Sequence, residues 1–340
     1  MARLQANESR EKLLMLNAIF WILALVVLVT TLLPLTNSVT WWVRIWDFPR
    51  VHILFAALAV LIGCLSFAVS FKLPIVVLMC AAIICQAVKV FPYTPLASTE
   101  VDLVAAPASV SPVSMLSVNV LMENTRYGDL ANIIKREDPD VLLLMETDQG
   151  WSDALGDILD RYSTVKSHVA DDHYGLIFAT RLDPVSVDLL WPDQDDTPAL
   201  KAVLRSPDGT EFNFIGLHPR PPVPGNDTAV RDKQIKKAAL MTSSSDRPTV
   251  CMGDFNDVAW SWTTGRFKRY GGFVEPRVGR GMYASFHAAY PLMRLPIDQI
   301  FVTRDVKLVS FDRLENFGSD HFPMVATVFF GNSEIANYGK

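Results

Sequence analysis

The chain has 340 residues, half of them hydrophobic, with 31 Lys and Arg against 36 Asp and Glu for a formal net charge of −5. That composition excludes a disordered chain, and four cysteines in this length exclude a disulfide-built scaffold. The acidic balance argues against a general binder of duplex DNA, whose sequence-independent affinity comes from neutralising phosphates.

The apolar excess lies in the first hundred residues. Leu13 to Leu35 runs 23 residues without a charge, enough at about 1.5 Å per residue to cross a hydrocarbon core of roughly 30 Å. Val51 to Phe71 is a second run, interrupted only by His52, and Leu73 to Val88 is a third, extended to Phe91 by a snorkelling Lys89. Trp41, Trp42 and Trp46 lie between the first two runs and suit the membrane interface. The first run is too long for a cleaved signal peptide, lacks a small-residue cleavage site and is followed by two more apolar runs. We therefore expect three transmembrane helices, at about 13–35, 51–71 and 73–91, as a membrane anchor over residues 1–91. No Asp or Glu falls within a span, which leaves a channel or transporter little to work with and makes anchoring the simpler role. Arg3, Arg10, Lys12 and Lys72 fall on one side of the bilayer, and Arg44, Arg50 and Lys89 on the other. By the positive-inside rule the N-terminus is inside and everything after residue 91 lies outside the cytoplasm.

Residues 92–113, rich in Pro, Ala, Ser and Val, read as an extended linker. Residues 114–331 carry 23 Lys and Arg against 30 Asp and Glu and are long enough for one domain with a substantial core; 332–340 form a tail. Met115 to Leu121 reads as a strand, and Gly128 to Arg136 as an amphipathic helix with Leu130, Ile133 and Ile134 on one face. Asp140 to Met145 is a strand buried on both sides. Further strands are expected near 174–180, 185–190, 199–204 and 211–217, a helix capped by Asn226 or Asp227 and running to about Met241, a strand at 248–252, and strands from 298 to 330. So many consecutive strands, with helices between only some, argue for two packed sheets flanked by helices. Asn226-Asp227-Thr228 is a glycosylation sequon, without meaning in a bacterial protein.

Polar residues punctuate the ends of these strands. Asn119 sits in the apolar Ser117-Val118-Asn119-Val120, Glu146 closes Val141 to Met145, and His218 closes Phe214 to Leu217. Gly253-Asp254-Phe255-Asn256, Pro296-Ile297-Asp298 and Ser319-Asp320-His321 follow, each beside a β-type apolar run. Carboxylates suit a hard cation, and a water nucleophile needs a base that also orients it. Taken singly each has a plainer reading: an Asn in an apolar strand is usually a satisfied core amide, and a Gly-Asp-Phe-Asn turn is usually a turn.

In this order the clusters resemble the endonuclease/exonuclease/phosphatase (DNase I-like) superfamily, across about 114–331. Glu275-Pro276-Arg277-Val278-Gly279-Arg280-Gly281 and Leu292 to Asp298 further resemble its bacterial membrane-anchored branch. The resemblance implies an α+β fold, a four-layer α/β/β/α sandwich behind the three transmembrane helices. It also implies a bacterial plasma-membrane location, phosphoester hydrolysis and a divalent cation, Mg²⁺ with Mn²⁺ as a possible substitute. It makes Glu146, Asn119 and Asp320 the metal residues, and Asp254, Asn256, His321, Asp298 and His218 the catalytic ones. Asp254 would deprotonate the water, Asn256 would donate to phosphoryl oxygens, and His321, held by Asp298, would contact the phosphate. His218 would donate to a phosphate oxygen or the leaving group. The branch commonly has His where this chain has Gln299, which leaves any cationic contribution there in doubt.

For substrate binding the candidates are Arg277, Arg280 and Arg294. Arg266, Lys268, Arg269, Arg277 and Arg280, interleaved with Phe267, Tyr270, Phe273 and Tyr283, form a basic-aromatic stretch able to grip phosphates, stack bases, meet lipid headgroups or simply face solvent. The expected substrate is a lipid-linked, small or nucleic-acid phosphodiester, and no protein partner is identifiable. The alternatives are an extracytoplasmic nuclease and a non-catalytic phosphate- or lipid-binding module on the same fold.

Overall fold

The computed structural model describes residues 2–192, 197–225, 227–243 and 245–331. They fall into two compact units, one reaching to Pro92 and including Pro222–Asp227, the other comprising Tyr93–Pro221 and the chain from Thr228 onward.

The first unit is helical: α1 (Ala2–Leu32), a short α2 (Trp41–Arg44), α3 (Arg50–Ser66) and α4 (Lys72–Val90). Two stretches, Arg3–Thr36 and Lys72–Tyr93, are each long and apolar enough to cross a membrane. The segment Trp41–Asp47 and α3 qualify only together, and they are bent by 73° at the break between them. Pro49 stands at that break, where its missing N–H costs no helical bond. The unit thus has two helices of spanning length, or three spans if the bent pair counts as one, where the sequence predicts three separate spans. Buried Ala24, Ala57 and Ala82 let the helices approach closely around Phe20, Cys64, Ile75 and Met79.

One polar network lies inside this apolar unit. Arg50 Nη2 donates to Asp47 Oδ1 at 2.7 Å and Nη1 to Gln86 Oε1 at 3.0 Å; Gln86 Nε2 donates to Thr31 Oγ1 at 3.1 Å. Arg44 Nη1 lies 3.0 Å from the other Asp47 oxygen. All five side chains are buried, so the network ties the ends of α1, α3 and α4 together. Removing one partner of a buried ion pair costs about 3–5 kcal/mol because the other charge stays desolvated. Asp47→Ala is accordingly expected to lower the unfolding temperature of the detergent-solubilised chain, with Gln86→Ala milder.

The second unit is built in four layers. One sheet has the order β11-β12-β1-β2-β4-β3, from β1 (Val113–Asn119), β2 (Val141–Met145), β3 (Thr164–His168), β4 (Leu176–Thr180), β11 (Val306–Arg313) and β12 (Met324–Phe330). The other has the order β5-β6-β7-β8-β10-β9, from β5 (Asp183–Leu190), β6 (Ala199–Arg205), β7 (Glu211–Leu217), β8 (Thr249–Asp254), β9 (Phe273–Val274) and β10 (Asp298–Thr303). Strand alternation sends Met115, Leu143 and Phe178 of the first sheet against Leu200, Phe214, Met252 and Ile300 of the second. The intervening residues face helices. Leu116, Leu142 and Leu144 meet α5 (Tyr127–Glu137), α6 (Gln149–Ala154) and α7 (Gly156–Leu159). Ile215, Cys251 and Phe301 meet α8 (Ala229–Ser243) and α9 (Trp262–Gly271). The expected two-sheet sandwich flanked by helices is present. β3 is missing from the sequence reading because this edge strand, Thr-Val-Lys-Ser-His, is largely exposed and carries no apolar face. The predicted α8 starts at Ala229; Asn226, one of its two expected caps, lies outside the described residues.

Strand direction decides where the polar strand ends gather. β1 and β2 run parallel with Asn119 opposite Met145, and β7 and β8 run parallel, so the C-terminal ends of all four open on one edge. β12 is antiparallel to β1 and β10 to β8, so their N-terminal ends reach the same edge; Asp298 pairs directly with Asp254.

Residues 93–104, within the expected linker, lie fastened along this second unit. Tyr93 Oη donates to the Ala259 carbonyl at 2.7 Å, Glu100 accepts from Lys268 at 2.7 Å and from the Glu275 N–H at 2.9 Å, and Val104 N–H donates to the Leu308 carbonyl at 2.9 Å. Composition registers Pro, Ala and Ser as linker-like and gives no weight to a few anchoring side chains.

Candidate active site

The two sheets meet chemically at Asn119. Its Nδ2 donates to Glu146 Oε1 at 2.7 Å and lies 3.3 Å from Asp254 Oδ2, while its Oδ1 accepts from the Leu121 N–H at 3.1 Å. One fully buried amide thus joins carboxylates from different sheets. Glu146 and Asn256 both hold positive φ, +60° and +46°, a conformation that non-glycine residues keep only where the surroundings impose it and that concentrates at functional sites. Gly253 is obligatory: at φ +139° a Cβ there would stand 2.0 Å from the Leu217 carbonyl oxygen.

Opposite this amide stands an imidazole–carboxylate pair. His321 Nδ1 is 2.7 Å from Asp298 Oδ2, which fixes the proton on Nδ1 and aims Nε2 at Asp254 Oδ2, 3.7 Å away. Ser319 holds the turn, accepting from the His321 N–H at 3.0 Å and donating to the Asn119 carbonyl at 2.9 Å. Burial by itself lowers the His321 pKa, but the charges of Asp298 and Asp254 outweigh it and raise the imidazole to about 10, so it is an imidazolium at neutral pH. Asp254 is pushed up to about 8, first by burial and then, against the pull of His321, by Asp298 and Glu146. His218 goes the other way. Burial lowers its pKa and keeps it neutral, with Nε2 3.7 Å from Glu146 and 3.8 Å from Asp254.

The donor set suits a hard divalent cation. Burial raises the Asp320 carboxyl, and against the pull of His321 the charge of Glu146 adds to the rise. Asp320 Oδ1 is buried and has no hydrogen-bond partner among the described residues. Facing carboxylates with an unpartnered oxygen beside a side-chain amide are what an oxygen-seeking cation requires. Asp254, Asp298 and His321 also bring ligand atoms within 4.8 Å of one another. A cation there would have to displace the Nε2 proton of a strongly basic imidazole, so the oxygen set around Glu146 is the better fit.

The structure brings together Asn119, Glu146, His218, Asp254, Asp298, Asp320 and His321. Asn256 lies beside them, its N–H donating to Asp254 Oδ1 at 2.8 Å and its Nδ2 to the Pro219 carbonyl at 2.9 Å. Arg277 is not at the surface of this site: it is buried, with Nε on Glu275 at 2.8 Å and Nη1 3.3 Å from the Asp298 carbonyl, so it supports the strand that carries Asp298. Arg280 likewise spends its guanidinium on the carbonyls of Pro276 and Val101. Gln299, one residue on from Asp298, is buried with Nε2 donating to the Asp257 and Pro296 carbonyls at 2.9 and 3.0 Å. It braces the Asp254–Asp257 turn, a task that needs no charge. The basic-aromatic stretch is α9 and its end: Phe267 and Phe273 are core, Lys268 pairs with Glu100, and Arg266 stacks on Trp262.

Two parts of the chain beside the site escape a sequence reading. His173 Nδ1 lies 3.3 Å from Glu146 Oε2 and its Nε2 3.3 Å from Glu123, and the Tyr174 ring lies 5.6 Å from that of His218. The available signal was Gly175 directly before the apolar β4: a Cβ there would stand 1.8 Å from the Thr147 carbonyl, so the chain presses against the residue after Glu146. Arg231 is the other, buried, with Nη1 donating to the Asn256 carbonyl at 2.8 Å.

A two-sheet sandwich with carboxylates, amides and imidazoles gathered on one edge defines a protein of the DNase I-like class. Similar folds include an endonuclease/exonuclease/phosphatase family protein from Bacteroides thetaiotaomicron (17% identity, 66% of this chain and 100% of that one, TM-score 0.54). D. rerio TDP2 complexed with single-strand DNA product (18%, 64% and 99%, TM-score 0.54) and the human Nocturnin catalytic domain with bound sulfate (17%, 65% and 95%, TM-score 0.53) are others. No curated protein matches the chain in sequence. The profile of the endonuclease/exonuclease/phosphatase family matches residues 116–321, and the chain belongs to that family. It is a phosphoric ester hydrolase.

Proposed function

We propose that the chain is a membrane-anchored phosphodiesterase that uses a divalent cation, Mg²⁺ or in its place Mn²⁺, to direct water at phosphorus. The observation that carries this reading is the Asn119 amide joining Glu146 and Asp254 across the two sheets, with the His321–Asp298 pair facing them. Glu146 and Asp320 would hold the cation, with the Asn119 amide fixing the Glu146 carboxylate, and the cation would polarise a phosphoryl oxygen and offset the charge gathering there. Asp254, in its ionised form, takes the proton of the attacking water as the new P–O bond forms. Asn256 keeps Asp254 in place through its backbone N–H and has a second amide hydrogen for a phosphoryl oxygen. His321 presents Nε2–H to the phosphate, oriented by Asp298. His218, neutral, gives a hydrogen bond to the leaving oxygen as the ester bond breaks, and that oxygen takes its proton from water. Arg294 remains a candidate for gripping the substrate. The helical unit would serve as the anchor, with the hydrolase domain outside the cytoplasm.

The test uses the full chain in detergent with bis(p-nitrophenyl) phosphate. Turnover is expected with Mg²⁺ or Mn²⁺, to be lost on chelation with EDTA and restored by excess metal. A folded chain without turnover in either metal, or with turnover indifferent to EDTA, would overturn the reading.

A further inference from the structure

Beside the catalytic edge, residues 286–295 form a projecting loop. Phe286 bridges to both Leu295 and His321, the Ala288 N–H donates to the Asp320 carbonyl at 2.7 Å, and the Phe322 N–H donates to the Ser285 carbonyl at 2.9 Å. The base of the loop is therefore stapled to the residues that carry the chemistry. Its tip is a single 3-10 turn, Pro291–Met293. There the chain exposes apolar side chains: Tyr290 is 58% exposed, Leu292 86% and Met293 63%.

At the foot of the same loop two guanidinium groups share one ring. Arg294 lies 5.0 Å and Arg313 4.3 Å from the centroid of Phe322, the residue after His321. Each donates to a backbone carbonyl, Ala288 and Ala284 respectively, and neither is ion-paired with a carboxylate among the described residues. Arg294 Nε is buried without a hydrogen-bond partner. An aliphatic tip above a cationic foot matches the boundary of an anionic bilayer, where acyl chains lie beyond a layer of phosphate.

We infer that the Tyr290–Met293 tip and the Arg294–Arg313 pair dock the mouth of the site on an anionic lipid surface. Two observations favour lipid over nucleic acid. Leu292 and Met293 offer no plane for a base to stack on, and the Tyr290 ring already packs edge-on against His287 at 4.7 Å. The chain also carries apolar helices of membrane-spanning length. The inference rests on the hydrolase reading for the identity of the mouth, but its test does not depend on turnover.

The full chain is placed in nanodiscs containing phosphatidylglycerol and phosphatidylcholine, with p-benzoylphenylalanine replacing Leu292 or, as a control, the half-exposed Val185 of β5. Photolysis is expected to give lipid adducts at position 292 about fivefold or more above the control, falling when phosphatidylcholine replaces the phosphatidylglycerol or Arg313 is changed to Gln. Equal yields at the two positions, no lipid adduct at 292, or capture of an added single-stranded oligonucleotide in its place would overturn the inference. Hydrolysis of bis(p-nitrophenyl) phosphate by the same sample separates the two readings: adducts without hydrolysis would sink the phosphodiesterase assignment and leave the docking surface standing.

Discussion

Glu146→Gln is expected to lower metal-dependent hydrolysis of bis(p-nitrophenyl) phosphate by about 10³-fold or more, since a bound cation contributes several kcal/mol to such a transition state and each 1.36 kcal/mol is tenfold. Glu146 is the carboxylate that accepts from Asn119 and whose charge helps to raise the Asp320 carboxyl. The amide of Gln keeps the shape and removes the charge. Titration calorimetry is expected to give a Mn²⁺ binding heat with the unaltered chain and none with the variant, a readout independent of turnover. Unchanged Mn²⁺ affinity in the variant would move the cation to Asp254, Asp298 and His321.

Asp298→Asn is the second large effect. The carboxylate leads the charges that keep His321 protonated, and its 2.7 Å bond fixes the imidazole. An amide can still hydrogen-bond but supplies no charge and permits the wrong tautomer. Partners of this kind are worth about 10²-fold or more in activity, so kcat should fall by that factor with KM little changed. Because the change leaves a buried imidazole without its charged partner, the variant should also unfold at a lower temperature than the parent chain. A folded variant in which KM rises and kcat is unchanged would assign Asp298 a role other than orienting His321.

Much of the fold is legible in the chain because the strands of the catalytic unit announce themselves. Val141 to Met145 is apolar on both faces, and in the structure it is buried between a sheet and a helix layer, as such a run must be. The amphipathic pattern of Leu130, Ile133 and Ile134 marks the buried face of α5 for the same reason. β3 lacks such a pattern. The helical unit is legible as apolar runs, but the 73° break before α3 is set by Pro49 and by the Arg50–Asp47–Gln86 network, which involves residues far apart in sequence.

The site divides in the same way. By itself the sequence determined which polar residues end apolar strands: Asn119, Glu146, His218, Asp254, Asp298 and His321, each conspicuous because a polar group beside a core strand needs a partner or a function. Only the tertiary structure decided which arginines face the chemistry. Arg277, Arg280 and Arg294 look equivalent along the chain. Yet the fold buries Arg277 against Glu275, spends Arg280 on carbonyls, and leaves Arg294 beside Arg313 over Phe322. It likewise turned Gln299 into a brace and brought His173 to Glu146. The reason is physical. A strand end is a local property fixed by alternation and burial, whereas the direction of a long cationic side chain depends on which carboxylates, carbonyls and rings the folded chain sets within its reach.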